Sequence, residues 1–186
     1  MLRTNEFFLP FIDKLYEQQT RGDDITLKTY MPGELVLQQD KKARHVHLLK
    51  TGISKCFISA ENGKEYIFEF MGQGQIIGEL EAIRNMNCLC NIEAITPVSA
   101  YAVSISLFKS LLQEEPEFNR MIINEMAERV YNTCQRISWQ QSYTLEHVLK
   151  KLLQLQEAQQ LRLSKENMAG YLGVTIRSLN RALKNL

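Results

Sequence analysis

The chain has 186 residues, 45% of them hydrophobic and 23% charged, with only 9 Gly and 4 Pro, a composition that excludes a disordered or collagen-like protein. No apolar run reaches the roughly 18 residues of a membrane span, and the opening Met1-Leu2-Arg3-Thr4-Asn5-Glu6 lacks the apolar core of a secretory signal, so a cytoplasmic protein with no membrane partner is expected. The net charge of +1 hides a polarity: from Ser142 onward seven Lys/Arg against three Glu leave +4, while fifteen against eighteen leave the first 141 residues at −3. A basic end points to an anionic partner such as nucleic acid; a solvated helical face is the bland alternative.

Taken in chain order, residues from Pro10 to Gln19 predict a short amphipathic helix with Phe11, Ile12, Leu15 and Tyr16 at helical spacing. From Ile25 to about Val103 the period is two, in short runs broken every ten residues or so, which predicts an antiparallel β-sandwich or barrel. Pro32-Gly33, Gly52, Asn62-Gly63 and Gly72-Gln73-Gly74 are the turn signals. His45 and His47 share one face of a strand and are read as solvent-facing. Cys56, Cys88, Cys90 and Cys134 are too scattered for a disulfide framework or a zinc site, and read as ordinary thiols with a redox role as the alternative.

Near Ser104 the period returns to 3.6. A short helix, Ser106 to Leu112, leads to Pro116 and an uninterrupted helix to about Gln141, roughly 39 Å long. Phe118, Ile122, Met126, Val130, Cys134 and Ile137 form its apolar stripe, expected to bury against a second copy of the chain, or alternatively against its own β-domain. A further amphipathic helix presents Leu145, Val148, Leu149, Leu152 and Leu153, with Ser142 or Thr144 as its cap. These patterns divide the chain into a sensor-like β-domain (1–115), a long dimerisation helix (116–141) and a terminal helical unit (142–186).

The last segment carries the most information. Ser164 predicts an N-cap, Met168, Tyr171 and Leu172 an inward face, Gly173 a sharp turn, and Thr175 the cap of a second helix. That helix directs Leu179, Ala182, Leu183 and Leu186 to one side and Arg177, Ser178, Asn180, Arg181 and Lys184 to the other. This is a helix-turn-helix pattern, whose second helix enters the major groove of duplex DNA and whose arginines suit the paired acceptors of guanine.

The order of β-domain, long helix and helix-turn-helix resembles the Crp/Fnr family of bacterial transcription regulators. The matching segments are Tyr30-Met31-Pro32-Gly33-Glu34, Gly52, Asn62-Gly63-Lys64-Glu65, Gly78-Glu79-Leu80, Ala94-Ile95-Thr96 and the terminal helices. The resemblance implies an α+β chain with an antiparallel jelly roll similar to cyclic-nucleotide-binding domains, homodimerisation through the long helix, double-stranded promoter DNA as ligand and RNA polymerase as a further partner. Ser164, Thr175, Ile176, Arg177, Ser178, Asn180, Arg181 and Lys184 form the expected DNA-binding set, Ile176 standing where the family commonly has a polar residue.

Two departures stand out. The implied effector pocket comprises Gly78, Glu79, Leu80, Arg84, Cys88 and Leu89, yet alignment on Ala94-Ile95-Thr96 puts Cys88 where the family has a phosphate-binding Arg, and Arg84 has the wrong spacing. A buried cyclic phosphate without a cation is poorly stabilised, so cyclic AMP and cyclic GMP are not expected; Gly78 and Glu79 are either turn residues or ligand contacts. The chain also stops at Leu186, without the family's β-wing, as though incomplete there. A signal-binding module acting on a protein partner is the alternative function. No nucleophile–base pair, metal triad or phosphate loop predicts an enzyme.

Overall fold

The computed structural model describes residues 2–20, 24–61 and 64–186. Helix α1 (Phe8–Gln18) begins earlier than its apolar spacing predicts, which brings Phe8 into the core beside Ile12, with Phe11, Leu15 and Tyr16 packed around them. Among the described residues eight strands follow: β2 (Ile25–Tyr30), β3 (Leu35–Leu37), β4 (His45–Thr51), β5 (Ser54–Ser59), β6 (Glu65–Met71), β7 (Ile76–Ile77), β8 (Asn91–Ala94) and β9 (Val98–Ser104). A short strand β1 (Leu2–Arg3) precedes α1. The strands form two sheets, ordered β1-β6-β5-β8-β3 and β2-β9-β4-β7, the antiparallel roll that the period of two predicts. One pairing departs from that expectation: β1 runs parallel to β6, with Leu2 opposite Phe70. Two residues carry no period, so nothing in the sequence announced it. The Asn62-Gly63 turn lies outside the described residues; its flanking strands β5 and β6 are antiparallel neighbours.

The histidine reading needs correction. Strand β4 sits between β9 and β7 and is buried from Val46 to Leu49. His47 is therefore 3% exposed, and its Nε2 lies 3.1 Å from the Tyr30 hydroxyl. Burial, aided by nearby His45 and Lys28, pushes its pKa down to about 3, so it stays neutral at physiological pH.

Helix α2 (Glu79–Arg84) interrupts the strands between β7 and β8. Helix α3 (Ile105–Glu114) is capped by Ser104, whose hydroxyl accepts the Leu107 N–H. Helix α4 (Pro116–Ser142) then runs 27 residues from Pro116 in its first turn. Its predicted apolar stripe divides between two faces. Phe118 and Ile122 are buried in the chain's own core, with Met126 partly buried against it, so this part of the stripe follows the alternative of packing on its own β-domain. Val130, Cys134 and Ile137 stay exposed, and Ile123 and Ala127 extend their row. The positions 123, 127, 130, 134 and 137 alternate by four and three, the spacing of a coiled-coil seam.

Helix α5 (Leu145–Ala158) is capped by Thr144, not Ser142: the Thr144 hydroxyl accepts the His147 N–H. Helices α6 (Lys165–Leu172) and α7 (Ile176–Lys184) have Ser164 and Thr175 as caps, as read from the sequence. Gly173 joins them at φ +69°, a left-handed conformation that costs a Cβ-bearing residue energy and that glycine adopts freely. Leu149, Leu152, Met168, Ala169, Leu172, Leu179 and Ala182 close a separate small core; each fully buried leucine contributes about 1.5–3 kcal/mol of transfer free energy. Leu186, expected on the inner face, is 55% exposed because α7 ends at Lys184.

Candidate functional site

The small core fixes how α7 meets solvent. Leu179 is fully buried and Ala182 nearly so, and this forces residues 177, 181 and 184 outward through the 3.6-residue period. Ile176, Arg177, Asn180, Arg181 and Lys184 line one open surface depression. Arg177, Arg181 and Lys184 are exposed and make no hydrogen bond or ion pair among the described residues. Ser178 is half-buried; its N–H is accepted by the Thr175 hydroxyl at 3.1 Å, and the two hydroxyls lie 3.0 Å apart. The Ser164 hydroxyl likewise accepts the Asn167 N–H. Ser164 and Thr175 thus shape the helix starts, while three free cations and an amide occupy the outer face of α7.

The helical unit is docked on the β-domain through β6. Gly170 packs so closely that a Cβ there would lie 3.1 Å from the Ile67 side chain. Arg136, on the inward face of α4, donates to the Ile67 and Phe68 carbonyls, each at 2.7 Å, and to the Tyr66 hydroxyl at 2.9 Å. Its guanidinium lies over both the Tyr66 and the Tyr171 ring. Gln140 donates to the Tyr171 carbonyl at 3.0 Å. One arginine therefore holds long helix, sheet and terminal unit together.

The expected effector residues differ in burial and in what they contact. Gly78, at φ +89°, precedes α2; Leu80 is half-buried, and Arg84 and Leu89 are exposed. Cys88 is buried, and desolvation pushes its thiol up to about 11, so it presents no charge to an anion. Glu79 is 2% exposed and ion-paired to Arg129 of α4. The same guanidinium reaches Glu69 at 3.4 Å and donates to the Ile76 carbonyl at 3.1 Å. Arg3 bridges Glu69, at 3.0 Å, and Glu125, which also accepts from the Asn5 amide at 2.7 Å. Burial raises the pKa of Glu79 while Arg129 pulls it back. Burial disfavours the charge of Arg129, but Glu79, Glu69 and Glu125 more than offset this and hold it protonated. Two cations and three carboxylates thus tie the N-terminal strand, the sheet and the long helix into one buried network.

Residues 27–115 match the cyclic nucleotide-binding domain family. Among curated proteins, the cAMP-activated global transcriptional regulator CRP of Salmonella typhimurium is 26% identical over 109 residues, 58% of this chain and 52% of that protein. The probable transcriptional regulator flp of Lacticaseibacillus casei is 25% identical over 180 residues, 91% of this chain and 80% of that protein. The chain spans about half the length, or less, of the first curated relatives it matches. In structure, the c-di-GMP responsive global regulator CLP of Xanthomonas campestris superimposes with a TM-score of 0.80 at 16% identity, over 95% of this chain and 90% of that one. The same fold recurs in CRP/FNR-family regulators of known structure. The chain shares the fold of these regulators.

Within this fold the sequence reading located the two caps, the Gly turn and the outer face of α7. It missed Arg3, Glu69, Glu125, Arg129 and Arg136. A signal for part of this set existed: Glu125, Arg129 and Arg136 stand four and seven residues apart, one side of a helix. Recognising that side as inward required knowing which apolar stripe of α4 the β-domain covers.

Proposed function

We propose that this Crp/Fnr-type chain is a homodimeric, sequence-specific DNA-binding transcription regulator of the cytoplasm. Residues 1–115 form its sensor unit, 116–141 its dimerisation helix and 142–186 its DNA-binding unit. The observation that carries this reading is the outer face of α7, where Arg177, Arg181 and Lys184 stand free beside Asn180. In a major groove the two arginines pair with guanine edges, Asn180 and Ser178 with adenine or phosphate, Lys184 with phosphate, and half-exposed Ile176 with a thymine methyl. At a promoter the accompanying protein partner is RNA polymerase. Cyclic AMP and cyclic GMP have no place in this reading, because Cys88 supplies no cation and Glu79 already holds Arg129.

The test is selection of genomic DNA fragments by the purified protein, followed by fluorescence anisotropy on the selected site. Three exposed cations in each of two protomers displace about six counterions, so affinity falls by roughly 10³-fold between 50 and 200 mM salt. Failure to enrich any duplex, or an affinity indifferent to salt, overturns the reading.

The dimer is assigned to the outer row of α4, centred on Val130, which is 64% exposed in the single protomer. A side chain so exposed contributes little to the protomer's own fold, and Val130→Glu places a charge in the seam without unfolding the chain. Light scattering is expected to give about twice 21.6 kDa for the native protein and 21.6 kDa for the variant. An unchanged dimer mass in the variant rejects this seam.

A further inference from the structure

We propose that Cys56 and Cys90 form a dithiol site that a hydroperoxide converts to a disulfide. Their sulfurs lie 2.9 Å apart, and a bond of about 2.05 Å needs them to close by less than roughly 1 Å. The sheet register creates this proximity. β5 and β8 are antiparallel, with Phe57 opposite Asn91 and Cys56 opposite Ile92. Cys90 directly precedes β8, so the two thiols are diagonal neighbours on one face of the sheet.

The other cysteines are placed differently. The backbone of Cys88 is pinned in two hydrogen bonds, to Lys41 and from Asp40, each at 2.8 Å. Cys134 is exposed on the outer row of α4. Access separates the roles within the pair. Cys56 is buried and Cys90 half-buried; the contact with Cys90, and then burial, hold the Cys56 thiol well above its ordinary range. Cys90 is therefore the first nucleophile. Its thiolate attacks the hydroperoxide, the O–O bond breaks, and the sulfenic acid of Cys90 forms as the alcohol or water departs. Cys56 then attacks that sulfur and the sulfenic oxygen leaves as water, so two thiols lose two electrons and two protons to one hydroperoxide.

The bond staples β5 to β8 next to the buried charge network, since Cys56 stands opposite Glu69 in the β5–β6 register and Glu69 pairs with Arg3 and Arg129. An oxidation event in the sheet thus adjoins the ion pairs that hold the long helix. The site does not rest on DNA binding and is tested without DNA.

The experiment uses the full chain carrying Cys134→Ser, treated with hydrogen peroxide. Intact mass falls by about 2 Da as two thiol hydrogens leave. Titratable thiols under denaturation drop from three to one, and peptide mapping links Cys56 to Cys90, reversibly with dithiothreitol. Adding Cys90→Ser, at a half-buried position that tolerates the change, abolishes the mass loss. Retention of all three thiols, a Cys88–Cys90 link, or Cys90 oxidised without a crosslink overturns the proposal.

Discussion

Replacing Arg129 with methionine is expected to destabilise the protein by about 3–5 kcal/mol, the cost of leaving a buried charge without its partner. Methionine keeps much of the side-chain length and none of the charge. Glu79 is 2% exposed and Glu125 4% exposed, so water cannot replace the guanidinium, and Arg3 remains to face only Glu69 and Glu125. The deficit depends on pH with a definite sign. Burial already holds the Glu79 pKa above its ordinary value while Arg129 draws it down; without Arg129 it rises further. A carboxyl whose folded pKa exceeds its unfolded one contributes stability at low pH that is lost as pH rises through the folded value. Urea unfolding is therefore expected to show a larger gap between native and variant at pH 8 than at pH 5. The double variant Arg129→Met with Glu79→Gln is expected to recover part of the loss, because the amide carries no charge to strand. A deficit below about 1 kcal/mol, or one indifferent to pH, would show that the network is solvated.

Substituting both Arg177 and Arg181 with alanine is expected to abolish specific DNA binding while leaving the fold intact. A base-edge contact by arginine is worth about 1–3 kcal/mol, and a symmetric dimer makes each contact twice, so one substitution alone costs at least roughly 30-fold in affinity. Both side chains are exposed and unpaired among the described residues, so unfolding midpoints stay within about 0.5 kcal/mol of native. Lys184→Ala distinguishes positioning from readout: it weakens all sequences alike and flattens the salt dependence. Unchanged operator affinity in the double arginine variant would take α7 out of the groove and leave its basic face to an acidic protein partner.

The pieces legible in the sequence share a local cause. The hydroxyl caps Thr144, Ser164 and Thr175 each satisfy an N–H three residues on, and a cap, its helix and the Gly173 turn are all encoded within one or two turns of chain; Ser104 does the same for α3, although the apolar spacing started that helix at Ser106. The period of two over the β-domain works the same way, since alternation reports one covered face. It fails where both faces are covered, as on β4, where His47 is as buried as Val46 and Leu48. It also fails for β1, whose two residues are placed by β6.

What the sequence determined alone was the succession of elements, the caps and the polar face of α7, because these depend on contacts only a few residues apart. Tertiary structure decided the phase of α4: two apolar rows run along that helix, and only the β-domain chose to cover Phe118 and Ile122 while leaving Val130 and Ile137 to solvent. The same packing brought Arg3, Glu69, Glu79, Glu125 and Arg129 together and set Cys56 beside Cys90. Residues so distant in the chain meet only through sheet register and helix docking, and neither leaves a mark in local spacing.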